Sequence, residues 1–131
     1  MPRLLGAIVV WLALLGSAAV HAQQEPAKIA LLIGNQNYDR SVGELKNPHN
    51  DIAVVAESLR RQGFRILPLL KEARRSAILG AVRDLVRQLN AADSGAIGFL
   101  YYSGHGAAEA DTGFNYLIPI DAKEQIGRAH V

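Results

Sequence analysis

The chain has 131 residues, of which 50% are hydrophobic and 20% charged, with a formal net charge of +2. That is the composition of one small globular domain and excludes a disordered chain. The basic residues are scattered over expected helix faces without a dense patch among aromatics, so nucleic acid is not an expected partner. Cysteine is absent, which excludes disulfides and any thiol chemistry by these residues themselves.

Met1-Pro2-Arg3 is a short basic start, followed by an uncharged apolar run from Leu4 to Ala19. Val20-His21-Ala22 then places small residues at the two positions read by signal peptidase. Residues 1–22 are therefore expected to be a secretory signal, with the mature chain starting at Gln23 and exported to the periplasm or beyond the cell. The run is shorter than the roughly 20 residues of a membrane span, so no stable span is expected after cleavage.

Lys28–Ile33 is a short apolar run ending at Gly34, the pattern of a strand buried on both faces. A polar loop rich in Asn and Gly follows from Gly34 to Pro48. Asn47-Pro48 predicts a helix start, with Asn as cap and Pro in the first turn. Ala53 and Ala56 join Ile52, Val55 and Leu59 at helical spacing, and Gly63 closes the helix. Phe64–Leu70 reads as a second strand. Ser76–Leu89 reads as a second helix with Ile78, Val82, Leu85, Val86 and Leu89 on one face. Ala96–Tyr102 is a third apolar strand that stops at Ser103-Gly104-His105-Gly106, and Tyr116–Ile120 predicts a short further strand. Strands alternating with helices imply right-handed crossovers and a mainly parallel sheet, with chemistry collected beyond the carboxyl ends of the strands. The last six residues, Ile126–Val131, read as a translation of ATC GGA AGA GCA CAC GTC, a stretch of a common sequencing adapter. Residues 126–131 are thus expected to be an artefact that leaves His130 without function.

His105 is the sharpest chemical candidate, because it follows a buried strand and stands between two glycines. A backbone N–H after such a histidine is suited to face a developing oxyanion. A histidine that only bonds locally within a tight turn fits the tripeptide equally well. A metal site from His49, Asp51, His105 and Asp111 lacks the close ligand pairs of zinc enzymes. Phosphate binding after Gly34 lacks the second glycine and the Lys-Ser/Thr pair. A Ser-His-Asp triad lacks the Gly-x-Ser-x-Gly elbow, and Ser103 is expected to point away from His105 or lie alongside it. Asp51, in the first helical turn, is explained by the helix dipole alone.

Four stretches in order carry a resemblance: Lys28–Tyr38 (KIALLIGNQNY), Leu45–Phe64 (LKNPHNDIAVVAESLRRQGF), Phe99–Gly106 (FLYYSGHG) and Phe114–Ala122 (FNYLIPIDA). Together they resemble the caspase-like cysteine peptidases, particularly the bacterial metacaspase type. The resemblance implies an α/β, three-layer fold with a mainly parallel sheet flanked by helices, here incomplete, with residues 23–125 as the N-terminal part of the catalytic domain. It implies that His105 is the catalytic histidine of a Cys-His dyad and that Gly106 offers an oxyanion-hole N–H. It implies that the nucleophilic cysteine stands on the next strand, roughly 50 residues beyond the histidine, so that this chain alone is inactive. Asp51 corresponds to an acidic residue of the primary specificity pocket, which implies cleavage of protein or peptide substrates after Arg or Lys. Leu45 lies near the place where animal caspases carry an arginine for a substrate Asp. No cofactor is implied; calcium activation and oligomeric state are left open. Two other readings remain: a caspase-like pseudo-enzyme acting as a binding or scaffold module, and a flavodoxin-like ligand binder, which does not account for the YSGHG strand end.

Expressed with its leader in a secreting bacterium, the protein is expected to start at Gln23. Intact-mass measurement finding Met1 retained would contradict the signal reading.

Overall fold

The computed structural model describes residues 25–92 and 94–123. The signal expected at residues 1–22 and the adapter-like tail at 126–131 lie outside the described residues.

The apolar run forms strand β1 (Lys28–Gly34), buried from Ile29 onward. A strand with no polar side chain over its middle has no face to offer water, so it lies in the centre of the sheet. Helix α1 (Pro48–Arg61) begins with Pro in its first turn. The side chain of Asn47 does not cap it, contrary to expectation; Asn47 contributes its carbonyl, which accepts the N–H of Asp51 at 2.9 Å. The other end closes as foreseen. Gly63, at φ +83°, donates to Arg60 O, and Phe64 N–H reaches back to Leu59 O, both at 3.0 Å. That pairing is a Schellman motif, which needs the left-handed residue that glycine supplies.

The expected second strand is two short ones, β2 (Arg65–Ile66) and β3 (Leu70–Lys71), both parallel to β1 along the same edge. Pro68 lies between them. It has no N–H to give a ladder, so the strand breaks there and resumes further along β1. Helix α2 (Arg75–Ala91) follows, and its N-terminal amide at Arg75 donates to Asp121 Oδ1 at 3.0 Å. A carboxylate at that end suits the helix dipole. β4 (Ile97–Ser103) pairs parallel with the other edge of β1, from Lys28↔Ile97 to Gly34↔Ser103. β5 (Gly106–Ala108) and β6 (Asn115–Leu117) form a separate antiparallel hairpin. The sequence reading located β6 approximately and missed β5.

The chain steps from β1 outward to β2 and β3, then crosses back over β1 to β4. Right-handed crossovers in opposite directions place their helices on opposite faces. Accordingly Ile52, Ala56 and Leu59 of α1 pack with Ala30 and Leu32 on one face. Leu85, Ile78 and Val82 of α2 pack with Ile29, Leu31 and Ile33 on the other. This is the expected three-layer arrangement with a mainly parallel sheet. Two helix positions depart from expectation: Ala53 and Val86 face solvent. No described strand pairs with the outer edge of β4, where Ile97 and Leu100 are well exposed.

Asn35 locks the carboxyl ends together. Fully buried, it donates from Nδ2 to Ala73 O at 3.0 Å and accepts Ala73 N–H on Oδ1 at 2.7 Å. Its own N–H donates to Ser103 O at 2.9 Å. Replacing it leaves the buried Ala73 N–H unpaired and takes one of two donors from Ala73 O, which keeps the N–H of Ile120. Asn35→Ala is expected to lower stability by about 1–3 kcal/mol, read from the urea unfolding midpoint; an unchanged midpoint would contradict this.

Candidate active site

The strand order reverses at β1, and in sheets of this kind the ligand crevice lies beyond the strand ends at such a point, here between the loops after β1 and β4. Both loops carry candidate functional groups there. The first, between β1 and α1, is shaped by Asp39. Its Oδ1 accepts Ser41 N–H at 3.0 Å and Ser41 Oγ at 2.8 Å, and its carbonyl accepts the N–H groups of Val42 and Gly43. The hydrogen bonds from the Ser41 backbone and hydroxyl hold the Asp39 carboxyl below its ordinary value. The turn ends at Gly43 with φ +96°, a conformation that favours glycine and helps aim its carbonyl into the crevice.

His105, just past the end of β4, meets that carbonyl: its Nε2 lies 2.8 Å from Gly43 O. A carbonyl oxygen only accepts, so Nε2 carries the proton and, in the neutral ring, Nδ1 holds the lone pair. The tautomer is thereby assigned by a backbone group. The imidazole stands edge-on to Tyr38, with ring centroids 4.8 Å apart at 62°. The His105 N–H donates to Tyr38 Oη at 3.1 Å. Tyr38 donates to Ile118 O at 2.8 Å, and its hydroxyl lies 2.8 Å from that of Tyr102.

Gly104 stands where a side chain has no room. A Cβ there would stand 2.5 Å from Tyr102 Oη and 2.6 Å from Tyr38 Oη, both on largely immobilised rings. Glycine is what lets the two hydroxyls meet beneath the turn. Gly106 has no such crowding. Ile118 donates to His105 O and Glu109 to Phe114 O, so the intervening pair Gly106↔Leu117 falls at a non-hydrogen-bonded site. The Gly106 N–H therefore points away from β6.

Asp51 and Ser103 come together: Ser103 Oγ donates to Asp51 Oδ2 at 2.8 Å. Ser103 is thus alongside His105 in the chain but engaged with the α1 carboxylate. Asp51 keeps further acceptor capacity, since an ionised carboxylate offers about four lone-pair sites on two oxygens. His105 turns to Gly43 rather than Asp51, so Ser103, His105 and Asp51 do not form a hydrolase triad. Among the described residues no group of three His, Cys, Asp or Glu side chains is placed to hold a metal. His49 is directed elsewhere, with Nε2 2.5 Å from Glu72 Oε1 but without an aligned hydrogen bond. Asp111 is in the turn between β5 and β6.

Sequence reasoning missed Asn35, Tyr38, Gly43, Glu72 and Tyr102. Glu72, at φ +51°, accepts the N–H groups of Gln36 and Asn37, which steadies the loop root. The one available signal was a polar and an aromatic residue, Asn35 and Tyr38, closely following a fully apolar strand. Loop residues show no periodicity that would separate buried from exposed.

The caspase domain profile matches residues 27–130. The chain is also similar to the human (Homo sapiens) mucosa-associated lymphoid tissue lymphoma translocation protein 1, at 37% identity over 95 residues, which is 72% of this chain. The chain spans 11% of the length of that curated relative. Among the described residues no helix is long and apolar enough to cross a membrane.

Burial, then the Tyr38 hydrogen bond, pushes the Tyr102 phenol far above its ordinary 10.0. The folded state therefore holds this proton more tightly than the unfolded chain does. The stabilisation is intact below about pH 10 and is lost as pH rises beyond it. Urea midpoints should fall between about pH 9 and about pH 11, and fall less in Tyr102→Phe; equal slopes in the two proteins would contradict this.

Proposed function

The chain belongs to the caspase domain family, and on that premise we propose that it is the histidine-bearing part of a cysteine-type endopeptidase of the metacaspase type. The observation that carries the reading is the state of His105: Nε2 is committed to Gly43 O, and Nδ1 is left as the basic atom. In the proposed reaction Nδ1 takes the proton of a cysteine thiol, and the thiolate attacks the scissile carbonyl carbon. Negative charge collects on the carbonyl oxygen, where the Gly106 N–H donates to it. The proton on Nδ1 then passes to the departing amine, leaving a thioester that water hydrolyses with the same imidazole as base.

These 131 residues contain no cysteine, so the thiol comes from outside them and the chain alone is expected to cleave nothing. The edge of β4 that no described strand pairs offers a place for a strand bearing it. Asp51 is proposed to pair with a substrate Arg or Lys, held in orientation by Ser103. The substrates are then proteins or peptides with a basic residue before the cut. No cofactor is assigned. Residues 1–22 are proposed to export the protein to the periplasm or outside the cell.

The test uses a longer protein that contains this chain and the thiol. His105→Ala is expected to lower kcat/KM on Arg peptides by about 10²–10⁴-fold, and Asp51→Asn by roughly 10–100-fold through KM. Cleavage after Asp with Arg peptides ignored would overturn the specificity. Another residue at the cysteine position, with no cleavage, would favour a binding or scaffold module.

A further inference from the structure

A general base needs its ring held at one angle, in one tautomer, on a backbone that does not drift. At His105 all three requirements trace to the loop after β1, and two of them to one side chain. Tyr38 is only 2% exposed. Its ring stands edge-on to the imidazole at 4.8 Å, and its hydroxyl accepts the His105 N–H. Gly43, whose carbonyl sets the tautomer, lies five residues later in the same loop, so displacing Tyr38 also loosens that contact.

Tyr38 is itself over-determined. Its hydroxyl bonds to Ile118 O and meets Tyr102 Oη, which also reaches His105 O at 3.0 Å and Ile118 O at 2.6 Å. With one proton each to donate, the two hydroxyls lie against the N–H and the C=O of His105 and the C=O of Ile118, the first residue after β6. Gly104 is bare because any side chain there would enter this space. An apolar ring would fill the same volume. The phenol is present at a buried position where its hydroxyl must find partners, and those partners belong to His105 and its hairpin.

We propose that Tyr38 is a positioning residue for His105, with its ring fixing the imidazole plane and its hydroxyl fixing the histidine backbone. The inference rests on the peptidase reading for its purpose but not for its test. Tyr38 acts through His105, whose ring and backbone N–H it contacts.

The test is nuclear magnetic resonance of the full 131-residue chain with histidine-selective ¹³C and ¹⁵N labelling, the His105 signals being assigned by their loss in His105→Gln. In the parent chain the ring is expected as the Nε2–H tautomer, with its carbon-bound protons displaced by the Tyr38 ring current. Tyr38→Phe keeps the ring current and the tautomer, while the His105 backbone amide exchanges about fivefold faster, the equivalent of one lost hydrogen bond. Tyr38→Leu abolishes the ring-current displacement and moves the two nitrogen shifts toward a mixture of tautomers. If Tyr38→Leu leaves the tautomer and ring shifts of His105 as in the parent, the proposal is overturned. The near-isosteric Phe variant keeps the test decisive if the Leu variant does not fold, because an unchanged amide exchange rate there also overturns it. Absence of peptidase activity in a longer protein would sink the peptidase reading and leave this result standing.

Discussion

The clamp between Asn35 and Ala73 is the constraint on which the rest of the crevice depends. A single buried amide satisfies both the N–H and the C=O of one residue at the β3–α2 turn, while its backbone ties β1 to β4. Ala73 O also accepts the N–H of Ile120, which brings the segment after β6 to the same point. Three strand ends and the return of the hairpin are thus gathered around one side chain. In a buried setting these bonds are costly to break, because each freed group loses its partner without gaining water.

From that anchor the site is built with backbone groups more than with side chains. Gly43 offers a carbonyl to the imidazole, Gly106 an outward N–H, and Gly104 the empty space in which two tyrosine hydroxyls meet. Backbone donors and acceptors are carried by the fold and need no side-chain ordering to stay in place, which suits a site that must be pre-arranged. The carboxylate of Asp51 enters from the first turn of α1, on the opposite side of β4 from α2, and is oriented by Ser103. In the proposed reading, acid–base chemistry and charge recognition would come from different elements that meet at the end of one strand. The same arrangement keeps Ser103 out of a serine–histidine pair: its hydroxyl donates to Asp51, while the His105 imidazole is turned to Gly43 O.

Much of this was legible without coordinates. The apolar runs at Lys28–Ile33 and Ala96–Tyr102 read as strands; the first is the buried centre of the sheet, whereas the second, β4, has no described strand on its outer edge and exposes Ile97, Phe99 and Leu100. The Ile52, Ala56 and Leu59 spacing makes one helical stripe, and Gly63 marks its end. His105 stood out from its place between two glycines after an apolar strand, and the roles of Gly106 and Asp51 were implied only by four stretches whose order resembles one peptidase family. The strand before His105, expected to be buried, is largely exposed because nothing described covers its outer edge. What failed was local competition. Pro68 split a strand whose hydrophobic pattern is continuous. Asn47 capped with its carbonyl rather than its side chain. Val86 matched the helical stripe but fell at its margin, where no element covers it.

By itself the sequence determined the alternation of strands and helices, the central place of β1, and the residues that could do chemistry, because hydrophobic periodicity and glycine placement act over short spans. Only the tertiary structure decided which of those residues meet. The tautomer of His105 depends on a carbonyl 62 positions earlier, its backbone on a phenol 67 positions earlier, and Asp51 on a hydroxyl 52 positions later. Such contacts leave no periodic trace, since they are set by how the crossovers stack the loops at one end of the sheet.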